Sequence, residues 1–169
     1  MPMVEAMLLE LAQEATTTRR LLERVPNDKL AWKPHAKSMS LGQLAQHVAA
    51  APGQIAALLR QAEVPVPDFA SPPSATSTAE AVETLERSLQ EAQQVLQGMD
   101  DQTAMSSWTL DRGDKPLFAA PKIAVARSIL LNHWYHHRGQ LSVYLRLLEV
   151  PLPSIYGPSA DENPFASEG

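Results

Sequence analysis

Apolar residues recur along this chain at spacings of three and four, and that period divides it into four helices. The first, over residues 2–25, carries the stripe Val4, Leu8, Leu11, Ala15, Thr18, Leu22 and Val25, and Pro26-Asn27 end it. Ser40 opens the second, over 40–60, with Gln43 three residues later. That pair is a capping-box pattern, in which each side chain satisfies the other's free backbone N–H. The stripe of this helix is Leu41, Leu44, Val48, Ala51, Ile55 and Leu58. Ser77 and Glu80 repeat the box at the start of a third helix, 77–99, whose apolar face is Val82, Leu85, Leu89, Ala92, Leu96 and Met99. Pro121 suits the first turn of a fourth helix, 121–149, which stops before Pro151.

The connections add topology. Four prolines, at 65, 67, 72 and 73, stiffen the stretch from Val64 to Ala75, so it can travel the length of a bundle instead of turning tightly. Helices 2 and 3 therefore need not be simple antiparallel neighbours. Residues 100–120 are irregular, with a short Trp108-Thr109-Leu110 stretch able to pair as a strand, and 150–169 form an extended proline-rich arm. Four helices with one long crossover predict a single all-α domain over 1–169, a four-helix bundle with the crossover between helices 2 and 3. Pro52 removes the N–H that would bond the Val48 carbonyl, so the second helix should kink one turn after His47. A tolerated bend at the bundle surface is the plain expectation; the alternative places the freed carbonyl near a site.

Composition narrows the chemistry. The 169 residues are 44% apolar and 20% charged, as in ordinary globular domains. A net charge of −5 argues against a phosphate-tracking surface, and so against nucleic acid as a partner. The N-terminal segment lacks the basic start and apolar stretch of a signal peptide. The longest uncharged run, residues 38–59, is too polar and too broken for a bilayer span. A cytoplasmic protein with no membrane partner is expected. There is no cysteine, which removes disulfides, thiolate nucleophiles and cysteine-based metal sites together. Any metal must be held by His, Asp or Glu.

Two of the five histidines fall on the fourth helix's stripe, Ala126, Leu130, His133, His137, Leu141, Tyr144 and Leu148. Rings four residues apart lie on one side of a helix, one turn from each other, and can converge on one ion. His47 sits between Leu44 and Ala51 on the second helix and should also face inward. Two readings remain open on spacing alone: a three-histidine metal site, or neutral histidines hydrogen-bonded in a polar core. His136 points about 100° from His137, towards a flank, and His35 belongs to a loop. Gln140, three residues after His137, can lean over the same face and orient a ring, or simply be solvated. Asn132 and Tyr144 are weaker candidates of that kind. Gly139 permits a close helix approach; Arg138 is not a candidate for catalysis; Trp108 and Trp134 read as core packing.

The stretch Leu131-Asn132-His133-Trp134-Tyr135-His136-His137-Arg138-Gly139-Gln140-Leu141 resembles the last helix of the DinB-like family of bacterial proteins, the DinB/YfiT superfamily. The tail from Val150 to Ser159 and the segment Ser40 to His47 resemble it too, so the likeness spans nearly the whole chain. It implies a four-helix bundle holding one divalent ion, zinc or nickel, through His47, His133 and His137. It further implies a homodimer, and for some relatives a transferase or isomerase reaction using a low-molecular-weight thiol such as mycothiol or bacillithiol. The family name marks a link to DNA damage induction, not an activity.

Three neutral imidazoles leave a coordination position free, as in catalytic sites. That position can lower the pKa of a water, or take a thiol and keep it as thiolate. No Glu or Asp falls on the histidine stripes to serve as general base, which favours thiol chemistry over hydrolysis. The expected function is thus a metal-dependent small-thiol transferase, or a related isomerase or hydrolase, acting on a small-molecule substrate. The alternative is a stress- or damage-associated binding module in which the metal only staples the bundle.

Overall fold

At the start of the second helix Ser40 and Gln43 complete their box: the Ser40 hydroxyl accepts from the Gln43 amide at 3.2 Å, and the Gln43 side chain accepts from the Ser40 amide at 2.8 Å. The Ser77 box closes only halfway. Ser77 accepts from the Glu80 amide, but the Glu80 carboxylate turns to the amide and hydroxyl of Thr76. The computed structural model describes residues 2–68, 70–113 and 115–166, so positions 167–169 of the expected arm lie outside the described residues. Its helices are α1 (Glu5–Leu22), α2 (Leu41–Leu58), α3 (Thr78–Gln97), a short α4 (Asp101–Met105), α5 (Lys122–Val125) and α6 (His133–Leu147), with a π-helical segment, Ala126–Asn132, joining the last two. Pro121 does not enter the helix; it ends the preceding strand and stands at the helix cap.

Contacts between helices fix their directions. Arg138 reaches Glu14 and Arg127 reaches Glu10, so α6 runs parallel to α1. Val48 meets Trp134 and Met39 meets Tyr144, so α2 runs antiparallel to α6. Gly42 pairs with Ala75 and Gly53 with Ser88, so α2 and α3 are close neighbours running parallel. The proline-rich connection supplies the return journey this requires. On its way it forms β1 (Glu63–Pro65), which pairs in parallel with β2 (Ser107–Arg112); β2 pairs antiparallel with β3 (Lys115–Pro121) across a bulge at Leu110/Asp111. The Trp108 stretch is therefore a strand, inside a small sheet for which the short, proline-flanked β1 gave no periodic signal. Trp108 packs beneath it and donates its indole N–H to the Leu58 carbonyl at 3.1 Å.

The core is built mainly of Leu, Val and Ala from α1, α2, α3 and α6, and Trp134 is fully buried within it. Along the π segment and α6 the stripe residues Ala126, Leu130 and Leu141 are buried as expected, but Trp134, Arg138 and Leu145 are buried in place of their stripe neighbours His133, His137 and Tyr144. The change follows the π segment, where Ala126 is buried together with both Leu130 and Leu131, four and five residues further on. Ser128 caps the Ala124 carbonyl with its hydroxyl at 2.7 Å. His133 and His137 are thereby half-buried beside the core instead of inside it. Gly139 faces open space, so it serves no close helix approach.

Pro52 is also corrected: it is buried, not at the bundle surface, and the carbonyl it frees on Val48 accepts the Trp134 indole N–H at 2.9 Å. At the next residue α3 touches α2. A Cβ on Gly53 would stand 2.8 Å from the Ser88 backbone, so only glycine admits this approach.

Arg138, 1% exposed, is the unexpected member of the core. It pairs with Glu14 at 2.5 Å, and Tyr156 from the C-terminal arm bridges the two, accepting from Arg138 at 2.5 Å and donating to Glu14 at 3.0 Å. Arg20 holds Glu162 and Arg146 holds Asp161, strapping the same arm along α1 and α6. Removing one partner of a buried pair strands the other charge, at a cost of about 3–5 kcal/mol. Arg138→Ala should lower the unfolding free energy by about that much in urea titrations; a loss within experimental error would show that the pair does not hold the arm and α1 together.

Candidate metal centre

The antiparallel contact of α2 with α6 sets His47 beside His133 and His137, and one ring nitrogen from each lies within 4.8 Å of the other two. The three rings meet edge to face, with centroids 4.3 to 5.0 Å apart. Nε2 of His137 stands 3.0 Å from Nε2 of His133. Two imidazole ligands bonded to one ion at about 2.0–2.1 Å in tetrahedral geometry stand roughly 3.3 Å apart, close to that separation. Nε2 of His47 is buried without a hydrogen-bond partner among the described residues. A buried nitrogen lone pair left unpaired is costly, and an ion at this point would relieve it. The three residues thus fit a metal ion.

Gln140 is the group that orients His137. Its side-chain oxygen lies 2.8 Å from Nδ1 of His137, so that nitrogen donates and Nε2 keeps its lone pair towards His133. The amide nitrogen of Gln140 lies 3.1 Å from Nε2 of His136, which is exposed and on the flank. Asn132 is exposed, and the Tyr144 hydroxyl donates to the Met39 carbonyl, so neither serves the cluster. His35 lies apart from the cluster, accepting a hydrogen bond from the Lys37 amide in its own loop.

Burial is the main force on the protonation of all three rings. It holds His47 and His133 down to about 4, with neighbouring histidines adding to the effect, and lowers His137 against the opposing Gln140 hydrogen bond. Among the described residues no carboxylate is a main influence on the three rings. At neutral pH they are therefore neutral, the state in which imidazole binds metals. A cavity of about 440 Å³ between α2 and α3, lined by Gln46, Gln54, Glu80, Thr84, Arg87 and Ser88 among others, reaches the neighbour of His47 but not the rings.

Residues 1–164 match the sequence profile of the DinB family. The chain belongs to the DinB family. A relative, the uncharacterized protein YrdA of Bacillus subtilis (strain 168), is 28% identical over 152 residues, 88% of this chain and 85% of its own. Two solved DinB-like structures share the fold. One, from Bacillus cereus ATCC 10987, superposes with a TM-score of 0.69 at 22% identity, covering 88% of this chain and 95% of its own. The other, YjoA from Bacillus subtilis, gives 0.67 at 17% identity over 89% and 96%. This DinB-family bundle carries features that periodicity did not reveal, the π segment and the Arg138–Glu14–Tyr156 contact. Both arise from tertiary packing, although a Glu on the stripe side of helix 1 was a visible sign of the second.

The depressed histidines give the metal-free protein a defined acid response. As pH falls from about 6.5 to about 4, the unfolded chain takes up protons that the folded rings refuse, so stability declines across that window and the contribution levels off below it. Asp161 and Glu162, held low by hydrogen bonds from Arg146 and Arg20, lose their contribution only below the ordinary carboxylate range. Unfolding titrations of chelator-treated protein from pH 7.5 to 4.5 should show this decline, and His47→Gln should flatten it. An equal slope in wild type and variant would contradict the assignment.

Proposed function

We infer that this DinB-family protein binds one divalent ion, zinc or nickel, through His47, His133 and His137, and uses it in reactions of a small thiol with an electrophilic small-molecule substrate. The observation that carries the reading is the convergence of three neutral, half-buried imidazoles with no carboxylate beside them. When bound, a divalent ion on three neutral ligands supplies an uncompensated positive charge with a free position, which favours an anionic fourth ligand such as a thiolate.

The chain's own residues have limited tasks. His47 and His133 present unprotonated nitrogens because burial resists their protonation. Gln140 fixes the His137 tautomer and is the orienting residue of the centre. The chain has no cysteine, so the thiol must come from solution. Hydrolysis is the weaker form of the proposal, because no carboxylate of the described residues joins the ring cluster as a general base.

A binding module with a structural ion is the competing reading, and the closed Leu/Val/Ala core supports the catalytic one by holding the bundle together without the ring cluster. The proposal includes a cytoplasmic homodimer. No described helix is long and apolar enough to cross a membrane, and the exposed Val143 and Leu147, one turn apart on α6, offer an apolar contact.

Metal analysis of untagged protein should give close to one zinc or nickel per chain, falling at least tenfold in His133→Ala. Metal-loaded protein should then accelerate conjugation of a small thiol to a model electrophile, with chelation abolishing turnover while the helical signal persists. Metal content unchanged by His133→Ala would overturn the site, and chelation that unfolds the protein would favour the structural ion.

A further inference from the structure

Each ring of the cluster needs something to hold it in place, and for His47 no side chain does so. His137 is oriented by Gln140, and His133 faces His137 at 3.0 Å. Among the described residues Nε2 of His47 is buried without a hydrogen-bond partner, as is Nδ1 of His133, but His133 has its contact with His137. Its position must come from the backbone of α2.

That backbone is altered immediately beyond it. Val48, the next residue, would ordinarily give its carbonyl to the amide of residue 52, but residue 52 is proline. The freed oxygen accepts the indole N–H of Trp134, which follows His133 directly in sequence, at 2.9 Å. Both residues are fully buried, so the bond is sheltered from water, and neither group has a solvent alternative. The helix around Pro52 is braced from the other side as well. The Gly53 amide donates to the Ser88 hydroxyl at 2.7 Å, and that hydroxyl donates to the Ala50 carbonyl at 3.0 Å, so an α3 side chain stands inside the α2 ladder. Thus α6 takes the Val48 carbonyl and α3 takes the Ala50 carbonyl.

We propose that the Trp134–Val48 hydrogen bond, released by Pro52, is the latch that fixes His47 against His133 and His137, making Trp134 and Pro52 positioning residues of the metal centre. The proposal rests on the metal-binding reading above. The bond joins the residues next to His47 and His133, so it ties the two ligand-bearing helices within one residue of the ligands themselves. An ordinary residue at 52 would bring back an N–H that competes for the Val48 carbonyl. Trp134→Phe keeps most of the ring but lacks the donor.

Cobalt(II) provides a test, because its visible bands report ligand geometry and its binding can be titrated on full-length, untagged protein. Trp134→Phe should weaken cobalt(II) binding by about 10–100-fold and shift the bands, as loss of groups that orient ligands does elsewhere. Pro52→Ala, which leaves the core volume nearly intact, should move both in the same direction. Leu145→Ala truncates the same buried face two turns beyond His137; it should lower the melting temperature yet leave affinity within twofold and the bands in place. Should Trp134→Phe fail to fold, Pro52→Ala decides the matter alone. Wild-type affinity and spectrum in the folded latch variants would overturn the latch and leave the metal reading standing. Equal weakening in Leu145→Ala would overturn it too, by showing a general loosening. A wild-type protein that binds no cobalt(II) would instead sink the metal reading, and the latch with it.

Discussion

Three imidazoles pressed together on the seam between α2 and α6, with no acidic group among the described residues to share a proton with them, set the terms for the rest of this structure. Like charges at such separations repel, and burial already disfavours the protonated form. The cluster is therefore stable only as neutral bases, and neutral bases with converging lone pairs suit a divalent ion. The fold must bring two antiparallel helices into register to within a residue, because a shift of one position on α6 would carry His133 and His137 about 100° around the axis.

The bundle meets that demand with features that look like defects when taken singly. A π turn ahead of His133 advances the register so that Trp134 and Arg138 enter the core while the histidines stay at its edge. A buried proline sits within α2 about a turn after His47, and a serine of α3 bonds to the backbone beside it. Irregular helical geometry of this kind is common at functional sites, since it re-aims side chains that regular helix would send elsewhere. The Arg138–Glu14 pair, closed by Tyr156, secures the opposite side of α6 to α1 and to the C-terminal arm.

Much of this was legible in the residues. The apolar periods and the Ser40–Gln43 box marked the helices, and the proline-rich connection foretold the crossover that lets α2 and α3 run parallel. The i, i+4 histidines with His47 named the cluster. Other features could not be read because they depend on packing. Nothing in the run from Ala126 to Asn132 announces a π turn, and a stripe counted at 3.6 residues put in the core the histidines that the structure half-buries beside Trp134 and Arg138. Arg138 was set aside only as a catalytic candidate, and its core role could not be read because its partner Glu14 lies 124 residues away on α1. The small sheet was half visible: Trp108 read as a strand, but β1 is only three residues long and ends in proline, too short for its alternation to register in the sequence.

The central claim is that these three rings share one ion. Its most direct test is a crystal of the untagged protein with diffraction recorded on both sides of the zinc and nickel absorption edges. The account predicts a single strong anomalous peak per chain, about 2 Å from a ring nitrogen of each of His47, His133 and His137, with a further position taken by a non-protein ligand. Metal-soaked crystals with no peak at the cluster, and the three rings hydrogen-bonded to water or to one another instead, would contradict it.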